Sequence, residues 1–163
     1  MQIHVVTEIV IARDASTVAA FAADPDNAPK WYVNIKSVEW QTKPPLQVGS
    51  RLAFVAHFLG KRLAYTYEFV EFVPGERLVM KTSEGPFRKV HGGTSLPAPK
   101  EGLLAGSMET TYTWERLDDA RTRMTLRNRG NPTGFSKMFA PLMAFMVKRA
   151  NKKDLEKLKS LLE

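Results

Sequence analysis

The segment Phe135–Glu163, FSKMFAPLMAFMVKRANKKDLEKLKSLLE, decides how the chain folds. Phe139, Met143, Val147, Asn151, Leu155, Leu158 and Leu162 succeed one another in steps of four or three, which stacks them on one face of a 3.6-period helix. Lys148, Arg149, Lys152, Lys153, Lys157 and Lys159, interleaved with Asp154 and Glu156, read as its solvated side. Before Val147 the helix is apolar nearly all round, because Phe135, Met138, Leu142, Phe145 and Met146 form a second flank. After Val147 only the leucine stripe remains. A helix of this kind is seated firmly at its end and presents a broad, Met-rich surface at its start, which suits a lid over an apolar cavity, since methionine adapts to irregular contents. Ordinary core packing is the commoner fate of any single such residue, so the cavity reading depends on the rest of the chain.

The chain has 163 residues, 44% of them hydrophobic, which is enough for one well-filled core and short for two, so a single domain spanning 1–163 is expected. With no cysteine, disulfides, thiolate chemistry and cysteine-based metal sites are excluded. Met1-Gln2-Ile3-His4-Val5 has no secretory pattern. The longest apolar stretch, Ala140 to Val147, is far below the ~20 residues of a membrane span. These features point to a soluble cytoplasmic protein. A formal net charge of +7 raises nucleic acid as a partner. However, Arg116, Arg121, Arg123, Arg127 and Arg129 are spread along one hairpin, and the helix lysines are mixed with acids. The expectation is a solvated basic surface and no nucleic-acid partner, with peripheral contact to an anionic membrane left open.

Ile3, Val5, Thr7, Ile9 and Ile11 alternate with His4, Val6, Glu8 and Val10, the pattern of a first strand. Asp14-Ala15-Ser16 offers caps for a short helix over Val18–Ala22, and Asp24-Pro25-Asp26-Asn27 starts a second helical turn ending near Pro29 and delivering Trp31. Six further strands follow: Ile35–Gln41, Arg51–Leu59, Leu63–Phe72, Arg77–Thr82, Met108–Arg116 and Arg121–Arg129. They are separated by Pro44-Pro45 with Gly49, by Gly60-Lys61, by Pro74-Gly75 and by Asp118-Asp119-Ala120, and Gly130–Gly134 leads to the last helix. Successive hairpins make an antiparallel sheet with one covered and one wet face.

Alternation identifies the covered face. Glu68 outside puts Tyr65, Tyr67 and Phe69 inside; Glu109 and Glu115 outside put Tyr112 and Trp114 inside. Likewise Lys81 turns Met80 inward, and Arg123 with Arg127 turn Met124, Leu126 and Asn128 inward. The third strand is apolar on both faces, and Phe54 and Phe58 are assigned inward over Val55 and His57. With Trp31 from the short helices and Phe139, Met143 and Val147 from the last helix, these residues form the expected ligand-binding lining. Its phenol, indole and amide tips argue for a cavity, because each buried polar tip left unpaired costs ~1–3 kcal/mol.

The stretch Arg88–Ser107, RKVHGGTSLPAPKEGLLAGS, has no sustained period where a hairpin turn should join strands five and six. It reads as an inserted loop, either passive or a lid at the cavity mouth. His91-Gly92-Gly93 is similar to an esterase oxyanion loop, but no Gly-x-Ser-x-Gly accompanies it. No phosphate-binding glycine motif is present, and His4, His57 and His91 sit on separate elements without metal-ligand spacing. No metal site and no cofactor are expected. With no acid pair placed on the covered face, acid-base work would fall to tyrosines, Asn128 or water.

One strand, two short helices, six antiparallel strands and a long terminal helix is the order of the helix-grip fold, an α+β arrangement in which a curved seven-stranded sheet wraps a helix. IARDASTVAAFAADPDNAPKW (11–31), PPLQVGSRL (44–52), GPF (85–87), METTYTWERLDDARTRMTL (108–126) and RANKKDLEKLKSLLE (149–163) resemble the polyketide cyclase/dehydrase-like group of the START-like, or SRPBCC, superfamily. That superfamily is related in fold to the birch-pollen allergen. In that group Phe87 would lead almost directly to Met108, so Arg88–Ser107 is a departure. The resemblance implies a deep apolar cavity for lipids, polyketides, hormones or other aromatic compounds, and transfers no catalytic residue.

The leading expectation is noncatalytic binding of a hydrophobic small molecule. The first alternative is a cyclase or dehydratase that folds a polyketone against aromatic walls, with Tyr65, Tyr67 or Tyr112 donating protons. The second is a dimerising or partner-binding module using Phe135, Leu142, Phe145 and Met146, so that monomer and homodimer both remain open.

Overall fold

The computed structural model describes residues 3–58, 61–82, 106–132 and 140–163. Alternation in the first segment becomes a strand, β1 (Ile3–Ile11), whose odd positions turn inward while Val6 and Val10 face solvent. After it come α1 (Ala15–Ala23), a 3-10 turn (Pro25–Asn27) and α2 (Ala28–Trp31). Six strands follow: β2 (Ile35–Trp40), β3 (Arg51–Phe58), β4 (Lys61–Val73), β5 (Arg77–Thr82), β6 (Gly106–Asp118) and β7 (Arg121–Pro132). The last element is α3 (Ala140–Leu162). The sheet order is β1-β7-β6-β5-β4-β3-β2, antiparallel throughout. Every strand from β2 to β7 lies beside its sequence neighbour, so only the α1–α2 connection crosses from one sheet edge to the other. This is the seven-stranded helix-grip arrangement.

Local chemistry sets the crossing. The Asp14 carboxylate accepts the Thr17 N–H at 3.0 Å and starts α1; the Asp24 carboxylate accepts the Asp26 N–H and starts the 3-10 turn. α2 does not end near Pro29, as the sequence reading has it, but runs from Ala28 through Pro29 to Trp31. A proline in the first helical turn gives up an N–H that has no partner there anyway. The β6–β7 hairpin is also longer than the reading has it. Gly106 pairs with Pro132 and Ser107 with Asn131, so Gly106 and Ser107 belong to β6, and Gly130–Pro132 belong to β7. The remainder of the expected insertion, residues 88–105, lies outside the described residues, as do Phe135, Met138 and Phe139.

α3 runs alongside β1 in the same direction. Ala144 and Val147 pack on Ile3 and Val5, whereas Leu155, Leu158 and Leu162 enter the main core with Ile11, Val18 and Trp31. Hydrogen bonds fasten the last turn to the end of β1. Lys159 Nζ donates to the Val10 carbonyl at 2.9 Å, Arg13 Nη1 to the Leu162 carbonyl at 3.2 Å, and the Ala12 N–H to Glu163 Oε2 at 2.9 Å. Arg13 thereby satisfies a carbonyl that the helix end leaves orphaned. On the other flank Leu142 and Phe145 stay largely in solvent.

The buried stripe makes a direct prediction. Leu158→Ala, at a position with no exposure, should lower the unfolding free energy by about 2–5 kcal/mol in urea titration. Leu161→Ala, half in solvent, should change it by no more than about 0.5 kcal/mol. Equal losses would mean that α3 presents a different face to the sheet.

Candidate functional site

The strand register lays inward residues in rows across the sheet. Phe69, Met80, Thr110, Asn128 and Val5 are successive partners across β4, β5, β6, β7 and β1, and Leu78, Tyr112, Leu126 and Thr7 form the adjacent row. Phe54 faces Tyr65 across β3 and β4, and Tyr67 stacks edge-on against Phe54 with centroids 5.4 Å apart. Above these rows lies a cavity of about 230 Å³. Its floor is the inner face of β3–β7, its roof is Val147, Ala150, Asn151 and Asp154 of α3, and one side is closed by Tyr32, Asn34 and Ile35. That is far more than the ~10–15 Å³ that a single water requires.

Two polar clusters interrupt the mainly apolar wall. In the first, Asn151 Nδ2 donates to Asn128 Oδ1, Asn128 Nδ2 donates to Thr110 Oγ1 at 3.0 Å, and Thr110 is bonded to the Tyr67 hydroxyl. Burial pushes the Tyr67 hydroxyl up to about 12, and desolvation raises Tyr65 further still. In the second, the hydroxyls of Tyr32 and Tyr112 meet, and Asp154 Oδ1 accepts the Val33 N–H at 2.8 Å. Burial, and then the neighbouring Asp154, hold the Tyr112 hydroxyl well above its ordinary value. Desolvation likewise pushes the Asp154 carboxyl from 3.8 up to about 6, against the opposing pull of the Val33 N–H and Lys157.

Of the residues proposed from the sequence as lining, Phe54, Tyr65, Tyr67, Met80, Tyr112, Leu126, Asn128 and Val147 do face the cavity. Trp31, Phe69, Trp114 and Met124 pack instead into the adjoining core. There Trp31 lies 5.7 Å from Tyr112 and Trp114 6.1 Å from it, both edge-on. Among the described residues the indole N–H groups of Trp31 and Trp114 are buried without a partner, and neither residue lines the cavity. The side chains of Phe58 and Met143, and Phe139 altogether, lie outside the described residues. On β3 Phe54 does turn inward, while Val55 is buried on the opposite face and His57 is exposed.

The main correction concerns Asp154, read from the sequence as part of the solvated side of the helix. It is 5% exposed and roofs the cavity. The signal was present in the spacing: 147, 151, 154 and 158 continue the steps of four and three, and the residue's charge outweighed its position. Tyr32, Asn34, Thr82, Met108 and Thr110 were also missed as lining. Thr110 was legible from its alternation with Glu109, whereas Tyr32 depends on where α2 ends.

Residues 2–163 match the family described as polyketide cyclase / dehydrase and lipid transport. Among solved structures, the ZhuI aromatase/cyclase from Streptomyces sp. R1128 is similar at 15% identity and a TM-score of 0.76, over 99% of this chain and 94% of that one. A START superfamily protein from Mycobacterium smegmatis is similar at 16% identity and a TM-score of 0.65, over 98% and 94%. The major latex-like protein 151 of Panax ginseng is similar at 12% identity and a TM-score of 0.68, over 99% and 97%. At these identities the likeness carries the fold alone. No curated sequence matches the chain.

Asp154 makes stability depend on pH. Because its folded pKa, about 6, lies above the ordinary 3.8, the folded state holds this proton more tightly than the unfolded chain does. The resulting stabilisation is full below 3.8 and is lost as pH rises through about 6. Asp154→Asn retains an acceptor for the Val33 N–H and should be more stable than the wild type at neutral pH, by about 1–3 kcal/mol. Urea titrations of both proteins across this window should give a difference that vanishes in acid. A difference independent of pH would contradict the burial of the carboxyl.

Proposed function

Since the chain belongs to the polyketide cyclase/dehydrase and lipid-transport family, we propose that it binds a hydrophobic small molecule, of aromatic or polyketide type, between the sheet and α3. The observation that carries this reading is the cavity of about 230 Å³, walled by apolar and aromatic side chains with a few convergent polar tips. Protein interiors otherwise pack like organic crystals, and voids larger than a water are few. A guest with one or more rings would restore contacts that Phe54, Met80, Leu126 and Val147 lack across the gap. The phenols and amides would take its oxygen functions.

A specific observation favours the cyclase or dehydratase reading as the alternative. Tyr65, Tyr67 and Tyr112, all raised by burial, stay protonated at neutral pH, so none of them is a base there. A partner able to accept a proton near neutrality is Asp154, raised to about 6 and adjoining Tyr112. The sequence leaves acid-base work to tyrosines, Asn128 or water; a ring closure in this cavity would use a carboxylate as well.

Filling the space tests the binding reading. Ala150→Trp projects an indole from the roof and should weaken uptake of a fluorescent naphthalene probe by about tenfold or more, with the circular dichroism spectrum unchanged. Native mass spectrometry should show the probe bound one to one in the wild type. Absence of uptake across a diverse apolar panel, or full uptake by the filled variant, would remove the proposal.

A further inference from the structure

Among the described residues lining the cavity, Asp154 is the sole charged side chain. The chain carries 24 lysines and arginines, yet none of those described faces this space. A site that received the carboxylate of an apolar acid would place a cation or several N–H donors at its polar end. Here the polar end is an acid. Of the roughly four lone-pair directions of a carboxylate, the Val33 N–H takes one, and no other hydrogen bond to Asp154 is made by the described residues.

Resting on the binding reading, we infer that the ligand presents a hydrogen-bond donor, a hydroxyl or a protonated amine, to Asp154, and that apolar carboxylates are rejected. A carboxylate withdrawn from water recovers little from a single amide N–H, and a ligand X–H group supplies the missing partner. An anionic ligand would instead bring a second negative charge beside the first in a poorly screened space.

The surroundings of Asp154 fit a donor. Tyr112, held well above its ordinary value by burial, flanks it from β6 and is paired through its hydroxyl with Tyr32 at the end of α2. Lys157, one turn further along α3, is exposed and lowers the carboxyl only as the weakest of its influences. On the roof beside it, Asn151 is engaged with Asn128. Among the described residues, no cation from the packed elements lines the cavity to accept a ligand anion. The first polar cluster, Asn151, Asn128, Thr110 and Tyr67, is bonded largely within itself, so Asp154 is the group left most in need of a partner.

Three probes of one size read this out by calorimetry: 1-naphthylmethylamine, 1-naphthalenemethanol and 1-naphthoate. At about pH 7.5 the wild type should bind the alcohol, and should bind the amine about tenfold or more tighter than the carboxylate. Asp154→Asn should reduce that ratio by about tenfold. The wild type alone supplies a second measurement that needs no variant. On lowering the pH to about 5, below the Asp154 midpoint, its preference for amine over carboxylate should shrink. Equal or tighter binding of the carboxylate at about pH 7.5, or a ratio that neither the substitution nor pH moves, overturns the inference and leaves the binding reading standing. If not even the neutral alcohol binds the wild type, the binding reading fails and this inference with it.

Discussion

One helix has to cover the inner face of seven strands. At about 4.8 Å between neighbours, six strand gaps make a sheet roughly 29 Å across. A helix with its side chains is only ~10–12 Å thick. Curvature narrows the mismatch without removing it, and α1 and α2 fill only the end where the leucine stripe lands. The rest must be closed by large side chains or stay open. Both happen: Trp31, Phe69, Trp114 and Met124 fill the core beside the leucines, and farther along α3 the sheet and helix part around a cavity. Met80 and Leu126 of the cluster around Leu158, and Val147 packed on Ile3 and Val5, all border that cavity.

The same geometry explains which readings of the sequence succeed. Periodicity reports faces, and the faces are right: Tyr65, Tyr67, Met80, Tyr112, Leu126 and Asn128 turn inward as alternation demands. It does not report depth along the helix axis. Trp114 and Tyr112 share a face of β6 and differ by one residue pair, yet one is packed and the other borders the space. That difference is set by where α3 approaches the sheet, which no local pattern encodes. Asp154 fails for a different reason. Its spacing belongs to the buried stripe, and its charge argues for water, since burying a carboxylate is costly. Function-bearing residues are expected where such rules conflict.

Asp154 also joins stability to chemistry. A carboxyl raised to about 6 by burial weakens the folded state at neutral pH, and an isosteric amide would hold the same Val33 N–H. On the proposed binding function, such a destabilising group is retained for a guest rather than for the core's own stability. The Asn151–Asn128–Thr110–Tyr67 chain is the contrasting case. Its members satisfy one another, so it shapes the cavity wall while leaving fewer groups in need of a ligand.

The sheet and α3 close tightly around Leu158 and stay apart around Asn151. Amide and methyl chemical-shift mapping during titration with 1-naphthalenemethanol tests this most directly. The account predicts shifts at Thr110, Leu126, Asn128, Val147 and Asn151, with Leu158 and Val18 unmoved. Shifts confined to the exposed Leu142 and Phe145, or none at the cavity residues under saturation, would contradict it.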